Sequence, residues 1–482
     1  MLFNSYQFVF GFLPVAFIGF FLIARVGHRA AALWLAFASL FFYGWWNPHY
    51  LALLLGSIAF NYTMGYAIGR QRARHGESTE GKWLLAFALS INLLLLGYFK
   101  YTDFFIGTVN DLAGAMLAFA RIILPLGISF FTFTQIAFLV DVYRGIAKEY
   151  NPVHYLLFVT YFPHLIAGPI LHHKQMMPQF DDNATYRPNV RNINIGLTIF
   201  TIGLFKKVML ADQFALYANP VFDGAAAGLH PGIIDSWIAA LAYTLQLYFD
   251  FSGYSDMAIG LSRLFNIDLP VNFNSPDKAQ NIDDFWRRWH MTLSAFLRDY
   301  LYIPLGGNRH GTARRYVNLM VTMLLGGLWH GANWTFVLWG LLHGSYLVIN
   351  HGWDALRAHV ALPKLPGSSA LAWAITFLAV VIAWVVFRAT SFHGAMAVLD
   401  GMIGRNAPAT PVLASLRASA VPLAWIGAGL AVIKFSPNSL EISAFLQGWK
   451  YRGRLAGCAL ASLLVFVLLN FNKVSTFIYF QF

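Results

Sequence analysis

The chain has 482 residues, of which 58% are hydrophobic and 11% charged, with a formal net charge of +12; ordinary soluble domains carry about 25% charged residues. This balance excludes a water-soluble globular protein and places the chain in a lipid bilayer. The basic excess collects in short loops between apolar runs, a topology signal that argues against nucleic acid as its partner, and the one cysteine, Cys458, leaves no intramolecular disulfide or cysteine metal cage.

Apolar runs at 8–23, 30–46, 51–68, 83–99, 122–140, 153–171, 195–210, 233–249, 317–328, 334–349, 371–387, 421–435 and 455–469 predict an all-α polytopic protein. About 20 apolar residues cross the hydrocarbon core as a helix, so roughly ten to thirteen membrane segments are expected, the shorter ones as broken, re-entrant or interfacial helices. No basic region precedes the first run, so no cleaved leader is expected. Arg25, His28 and Arg29 follow that run, and Arg70, Arg72, Arg74 and Lys82 follow the third. The intervening "WNPHY" has no Lys or Arg, which predicts an outward N-terminus. No internal repeat or low-complexity linker divides the chain, so a single domain over 1–482 is expected.

His172 and His173 are adjacent, but neighbouring side chains do not share a helix face and no carboxylate set accompanies them, so metal is not expected. "FDFSGYSDM" (249–257) places Asp250, Ser252, Ser255 and Asp256 beside an apolar run and reads as polar cavity lining. It is not a nucleophile elbow. Neither a Walker loop nor a dinucleotide fingerprint occurs, which leaves ATP-driven transport and redox chemistry without support.

The stretch "NIDDFWRRWHMTLSAFLRDYLYIPLGGNR" (281–309) predicts one amphipathic helix that starts at Asp283 and Asp284 and ends near Pro304. At about 100° per residue, Phe296, Trp289, Tyr300, Leu293, Trp286, Leu297 and Leu301 share an arc of about 160° with Phe285, and His290 lies inside it. Arg287, Arg288, Arg298 and Asp299 fall opposite, as a solvated or lipid-contacting face or a docking face for an acidic carrier. Further on, "MLLGGLWHGANWTF" (323–336) sets His330 between Gly326, Gly327 and Gly331, with Asn333 a turn beyond. Glycines permit close backbone approach, and ionisable groups at membrane depth mark pathways or reaction centres. His330 is therefore a catalytic candidate, weighed against a histidine that only bridges helices. His343 and His351 read as packing or interfacial histidines.

"FPHLIAGPILHHKQMMPQF", "LQLYFDFSGYSDMAIG", "FWRRWHMTLSAFLRDYLYIPLGGNR" and "LGGLWHGANWTFVLWG" resemble the membrane-bound O-acyltransferase family, over about Pro48 through His343. The resemblance is strongest to its bacterial polysaccharide-acetylation branch, with alginate O-acetylation nearest and teichoic acid D-alanylation related. It implies a helical shell around a central tunnel, with the family's two histidines at His330 and His290. It also implies transfer of an acetyl group from a cytoplasmic thioester, acetyl-CoA, across the bacterial inner membrane to an exopolysaccharide such as alginate, with no tightly bound cofactor. A periplasmic acetyltransferase and the polysaccharide biosynthesis complex are the implied partners.

In that reaction His330 takes the hydroxyl proton, with a covalent acyl-imidazole as the variant, and His290 orients the acceptor or tunes His330. Asn333, Trp329 and nearby backbone N–H groups are the expected oxyanion donors. Arg287, Arg288, Asp250 and Ser255 complete the expected substrate-binding set. "FIYFQF" (477–482) is expected as an exposed aromatic tail that docks a partner. Two other classes compete on residues alone: a transporter whose histidines relay protons, and a scaffold whose histidines can be replaced without chemical consequence.

Overall fold

In the computed structural model, residues 1–117, 121–148, 151–360, 367–407, 417–447, 453–471 and 476–478 are described. Among them regular structure is helical throughout, with no strand. The chain forms two compact units, one of Met1–Leu204, Tyr254–Val271 and Ser443–Gln481, the other of Phe205–Gly253 and Asn272–Ile442.

The first unit begins with α1 (Leu13–Ala24), α2 (His28–Gly44), α3 (His49–His75), α4 (Thr79–Leu96) and α5 (Thr102–Ala113). It continues with α6 (Ile128–Arg144), α7 (Pro152–Thr160), α8 (His173–Asp181) and α9 (Val190–Phe205). A π-helical turn at Gly97–Tyr101 joins α4 to α5, and another at Lys206–Ala211 joins α9 to α10 (Asp212–Ala226), so each pair is one long helix. Two sets of buried amides and hydroxyls inside this apolar unit pair with one another. Asn61 and Asn92 exchange amide hydrogen bonds of 3.0 and 2.7 Å between α3 and α4, and Gln135 of α6 donates to the Ser57 hydroxyl at 3.0 Å.

α11 (Ile233–Leu264) runs through both units. The second unit contains α12 (Ile282–Arg288), α13 (Met291–Leu297), α14 (Gly311–His330) and α15 (Trp334–Val360). α16 (Ser368–Arg388), α17 (Phe392–Met402) and α18 (Ala420–Phe435) follow; α19 (Ser439–Gln447) and α20 (Gly453–Leu469) complete the order.

Among the described residues five helices are long and apolar enough to cross a membrane, Gln7–Ala24, His49–His75, Thr79–Ala113, Val190–Ala226 and Ser368–Arg388, or six if α18 and α19, bent by 60°, form one span. The expectation of ten to thirteen counted every apolar run. Several of those runs fold as shorter helices, such as α6 with 17 residues. Another, α11, has 32 residues but carries Asp235, Asp250, Asp256 and Arg263.

The single helix expected over 283–303 is interrupted. α12 stops at Arg288, His290 takes a left-handed backbone (φ 42°, ψ 52°), and α13 starts at Met291. The reason is a competing set of acceptors. Asn272 receives the Met291 N–H on its carbonyl (3.0 Å) and the Thr292 N–H on Oδ1 (3.3 Å), and Asn274 N–H donates to Arg288 O (2.9 Å). These bonds replace the intrahelical ladder at the break.

Candidate active site

His330 is the last residue of α14, where Gly331 turns into extended backbone and Asn333 caps α15 by accepting the Thr335 N–H at 3.0 Å. The two helices that flank this turn touch backbone to backbone. A Cβ on Gly327 would lie 2.2 Å from the Phe336 carbonyl oxygen, and one on Gly340 2.4 Å from that of Met323. Glycine at both positions is what lets α14 and α15 close and brings His330 beside Trp339. The His330 ring is buried in an aromatic box, 5.0 Å from the Trp329 ring, 5.0 Å from Trp339 and 5.3 Å from Phe387 by centroids.

His290 enters the same box from the break between α12 and α13, with its ring centroid 6.3 Å from that of His330 and 4.7 Å from Phe251. Its Nδ1 lies 3.1 Å from Asn272 Oδ1, and that atom is an oxygen because it also takes the Thr292 N–H. A carbonyl oxygen only accepts, so Nδ1 carries the proton and Nε2 the lone pair. His290 is fully buried and lies outside the spanning helices; burial holds its ring well below the usual imidazole range, at about 3, so it is neutral near pH 7. A non-glycine residue in the left-handed region costs about 1 kcal/mol or more and persists where surrounding contacts impose it.

One helical turn away lies a second pair. Trp286 on α12 donates its indole N–H to His343 Nδ1 on α15 at 3.3 Å, and His343 is fully buried. Trp339 lies between the two levels, its ring 5.0 Å from His330 and 4.6 Å from His343, stacked on Trp384 at 5.7 Å.

Of the residues expected in the site, the structure brings together His330, His290 and Trp329. Asn333 is used elsewhere: its Oδ1 caps α15 and its Nδ2 donates to Thr390 O at 2.9 Å. Arg287 is exposed and paired with Asp283 at 2.6 Å, and Arg288 pairs with Asp284 at 2.8 Å. Both arginines therefore belong to i,i+4 ion pairs on α12 and not to the buried histidine cluster. Asp250 is buried against the Lys207 ammonium, which also contacts Asp212 at 3.0 Å. This charge cluster sits where the π-helical turn before α10 faces α11, so Asp250 balances a buried cation. Ser255 is buried in the first unit, past the point where α11 leaves the second.

His172 starts α8 in a reciprocal capping arrangement with Gln175 and lies 3.8 Å from Asp141. His173 packs on Phe138 and Phe158. Among the described residues no group of three metal-ligating side chains converges. The aromatic tail departs from expectation: Phe477 is buried against Tyr254, with centroids 4.6 Å apart, and Ile478 is buried too, so neither is available to a partner. The rest of the tail, 479–482, lies outside the described residues.

Sequence reasoning did not single out Asn272, Trp339 or Trp384, and His343, read there as a packing or interfacial histidine, is buried against Trp286 and Trp339. The i,i+4 spacing of Trp339 and His343 on a helix that begins just after His330 was a usable signal. Asn272 offered none, because its role is created entirely by where the 272–274 segment lies.

A helical membrane chain with two buried histidines facing one another belongs to a known class. The model of the membrane-bound O-acyltransferase family, MBOAT, matches residues 33–393, and the chain belongs to that family. It is an acyltransferase, which sets aside the transporter and scaffold readings. Peptidoglycan O-acetyltransferase of Helicobacter pylori is 47% identical over 84% of this chain and 80% of its own length. The Pseudomonas aeruginosa protein named "Probable alginate O-acetylase AlgI" is 44% identical over 83% of this chain and 75% of its own. Teichoic acid D-alanyltransferase of Streptococcus thermophilus is 27% identical over 80% of this chain and 94% of its own.

Proposed function

We propose that this protein is a multi-pass O-acetyltransferase of the bacterial inner membrane. It passes an acetyl group from acetyl-CoA on the cytoplasmic side to hydroxyls of an exopolysaccharide outside. Alginate is the polymer we assign, with a periplasmic acetyltransferase and the polysaccharide assembly complex as partners. The two relatives named for O-acetylation of a cell-surface polymer support this class of acceptor. In this reading the whole chain is one catalytic domain, and the shorter apolar helices bring the membrane segments to ten to thirteen.

The observation that carries the reading is the pair of buried imidazoles 6.3 Å apart inside an aromatic box. A hydroxyl attacks a thioester carbonyl only as its proton is taken, and a box that excludes water strengthens every charge interaction within it. His330 takes that proton and returns it to the departing thiolate. His290, neutral and with its lone pair on Nε2, accepts a hydrogen bond from a neighbouring hydroxyl of the sugar and so orients the acceptor, while the one proton of the attacking hydroxyl goes to His330.

His330→Ala, expressed to the same membrane abundance, tests the assignment by ester-linked acetyl on the secreted polymer. Loss of acetyl with the protein intact supports it. Unchanged acetylation refutes the role of His330.

A further inference from the structure

We infer that Trp339 and His343 supply the two hydrogen-bond donors that hold the oxygen of the acyl group during transfer. The inference rests on the reading above and deepens it: it names what stabilises the negative charge opposite the base.

Trp339 Nε1 is buried with no hydrogen-bond acceptor among the described residues, and so is His343 Nε2. Indole nitrogen is only a donor. His343 Nδ1 accepts from Trp286, so its neutral ring carries the proton on Nε2. Both are therefore N–H donors. Buried donors are nearly always paired, because an unpaired one costs a desolvation penalty that folding does not recover. Two on one face of α15, four residues apart with ring centroids 4.6 Å from each other, are an arrangement that general packing does not explain. The Trp339 ring is 5.0 Å from that of His330.

Chemistry supplies the missing acceptor. When the hydroxyl oxygen bonds to the thioester carbon, the carbonyl π pair moves onto oxygen as His330 takes the hydroxyl proton. That oxyanion needs fixed donors in a site without water. The pair then reforms the carbonyl as the carbon–sulfur bond breaks, and the thiolate receives the proton from His330. Asn333, one of the donors expected from sequence beside Trp329, is committed to the α15 cap and to Thr390. Trp339 and His343 take its place, and Trp286 sets the tautomer that makes His343 a donor.

The test uses inverted membrane vesicles from cells that make the polymer, with radiolabelled acetyl-CoA added to the medium that meets their cytoplasmic face; ester label in the polymer is counted as a function of acetyl-CoA concentration. Trp339→Phe keeps a ring and loses the N–H; kcat is expected to fall about 10- to 100-fold with KM changed less than about threefold. Two replacements separate donation from structure at position 343. His343→Gln places an amide N–H near Nε2, while His343→Asn, one methylene shorter, offers Trp286 a carbonyl near Nδ1 and does not reach Nε2. Donation predicts that Gln retains more activity than Asn at equal abundance; a role confined to accepting from Trp286 predicts the reverse. Trp339→Phe within about twofold of wild type, or Asn at least as active as Gln, overturns the inference. Failure of the underlying reading is seen separately, as activity that survives His330→Ala in the same vesicles.

Discussion

Asn272→Ala is the perturbation that most directly probes how the site is held. Asn272 is fully buried, and its Oδ1 accepts from His290 Nδ1 (3.1 Å), Thr292 N (3.3 Å) and Thr292 Oγ1 (3.0 Å). The Thr292 hydroxyl can rotate to another acceptor, so two fixed donors are stranded. At about 1–3 kcal/mol for each buried donor left unpaired, the loss is on the order of 2–6 kcal/mol. The backbone bond from Met291 N to Asn272 O survives, so the break between α12 and α13 persists while its anchor weakens. With no acceptor at Nδ1, the His290 proton is no longer confined to that nitrogen, and the lone pair facing the acceptor is lost in part of the molecules. We expect detergent-purified Asn272→Ala to melt several degrees below wild type and to lose at least about tenfold in vesicle acetyl transfer. Thr292→Val removes only the rotatable hydroxyl and should cost about 1 kcal/mol with transfer nearly unchanged. An Asn272→Ala protein with wild-type melting and transfer within about twofold would refute the reasoning, because three bonds to one buried oxygen would then carry neither stability nor tautomer.

Further expectations concern backbone and charge. His290→Gly should melt higher than His290→Ala by about 1 kcal/mol, since only glycine adopts φ 42° without strain, and both should be impaired in transfer; the Ala protein melting higher would show that the conformation is not retained. Gly327→Ala drives a methyl to 2.2 Å from the Phe336 carbonyl oxygen, which only separation of α14 and α15 relieves; a sharp fall in folded protein is expected on fluorescence size-exclusion, and normal yield would contradict it. Asp277, in a short turn outside the spanning helices, is buried and its carboxyl is pushed up to about 7. Its proton is held more tightly folded than unfolded, so its contribution to stability is full below about pH 4 and is lost as pH rises to about 7, at about 1.4 kcal/mol for each pH unit. Melting across that window should flatten in Asp277→Asn; an unchanged slope would place the pH dependence elsewhere.

The helical membrane class was legible because apolar runs report burial in lipid whatever their neighbours do. His330 was legible for a local reason too: glycines around a titratable ring signal a backbone contact, and Gly327 against Gly340 is that contact. His290 was placed correctly towards protein, but on a helix that does not exist as one piece. Periodicity assumes that each carbonyl serves the residue four ahead, and at 288–292 the acceptors come from Asn272 and the donor to Arg288 from Asn274. Arg287 and Arg288 were given to a substrate although Asp283 and Asp284 stand four residues before them, a spacing that already signalled the ion pairs the structure forms.

Sequence by itself determined the medium and the helical class, which follow from composition, and it pointed to His330 through its glycine neighbours and to His290 through a periodicity whose single helix the structure interrupts. Tertiary structure alone decided how those imidazoles are used. Asn272 selects the His290 proton position, Trp286 selects that of His343, and α15 folds back to set Trp339 between His330 and His343. Tautomer and donor direction depend on which atom of a distant segment lies within about 3 Å, a distance that no pattern along the chain encodes.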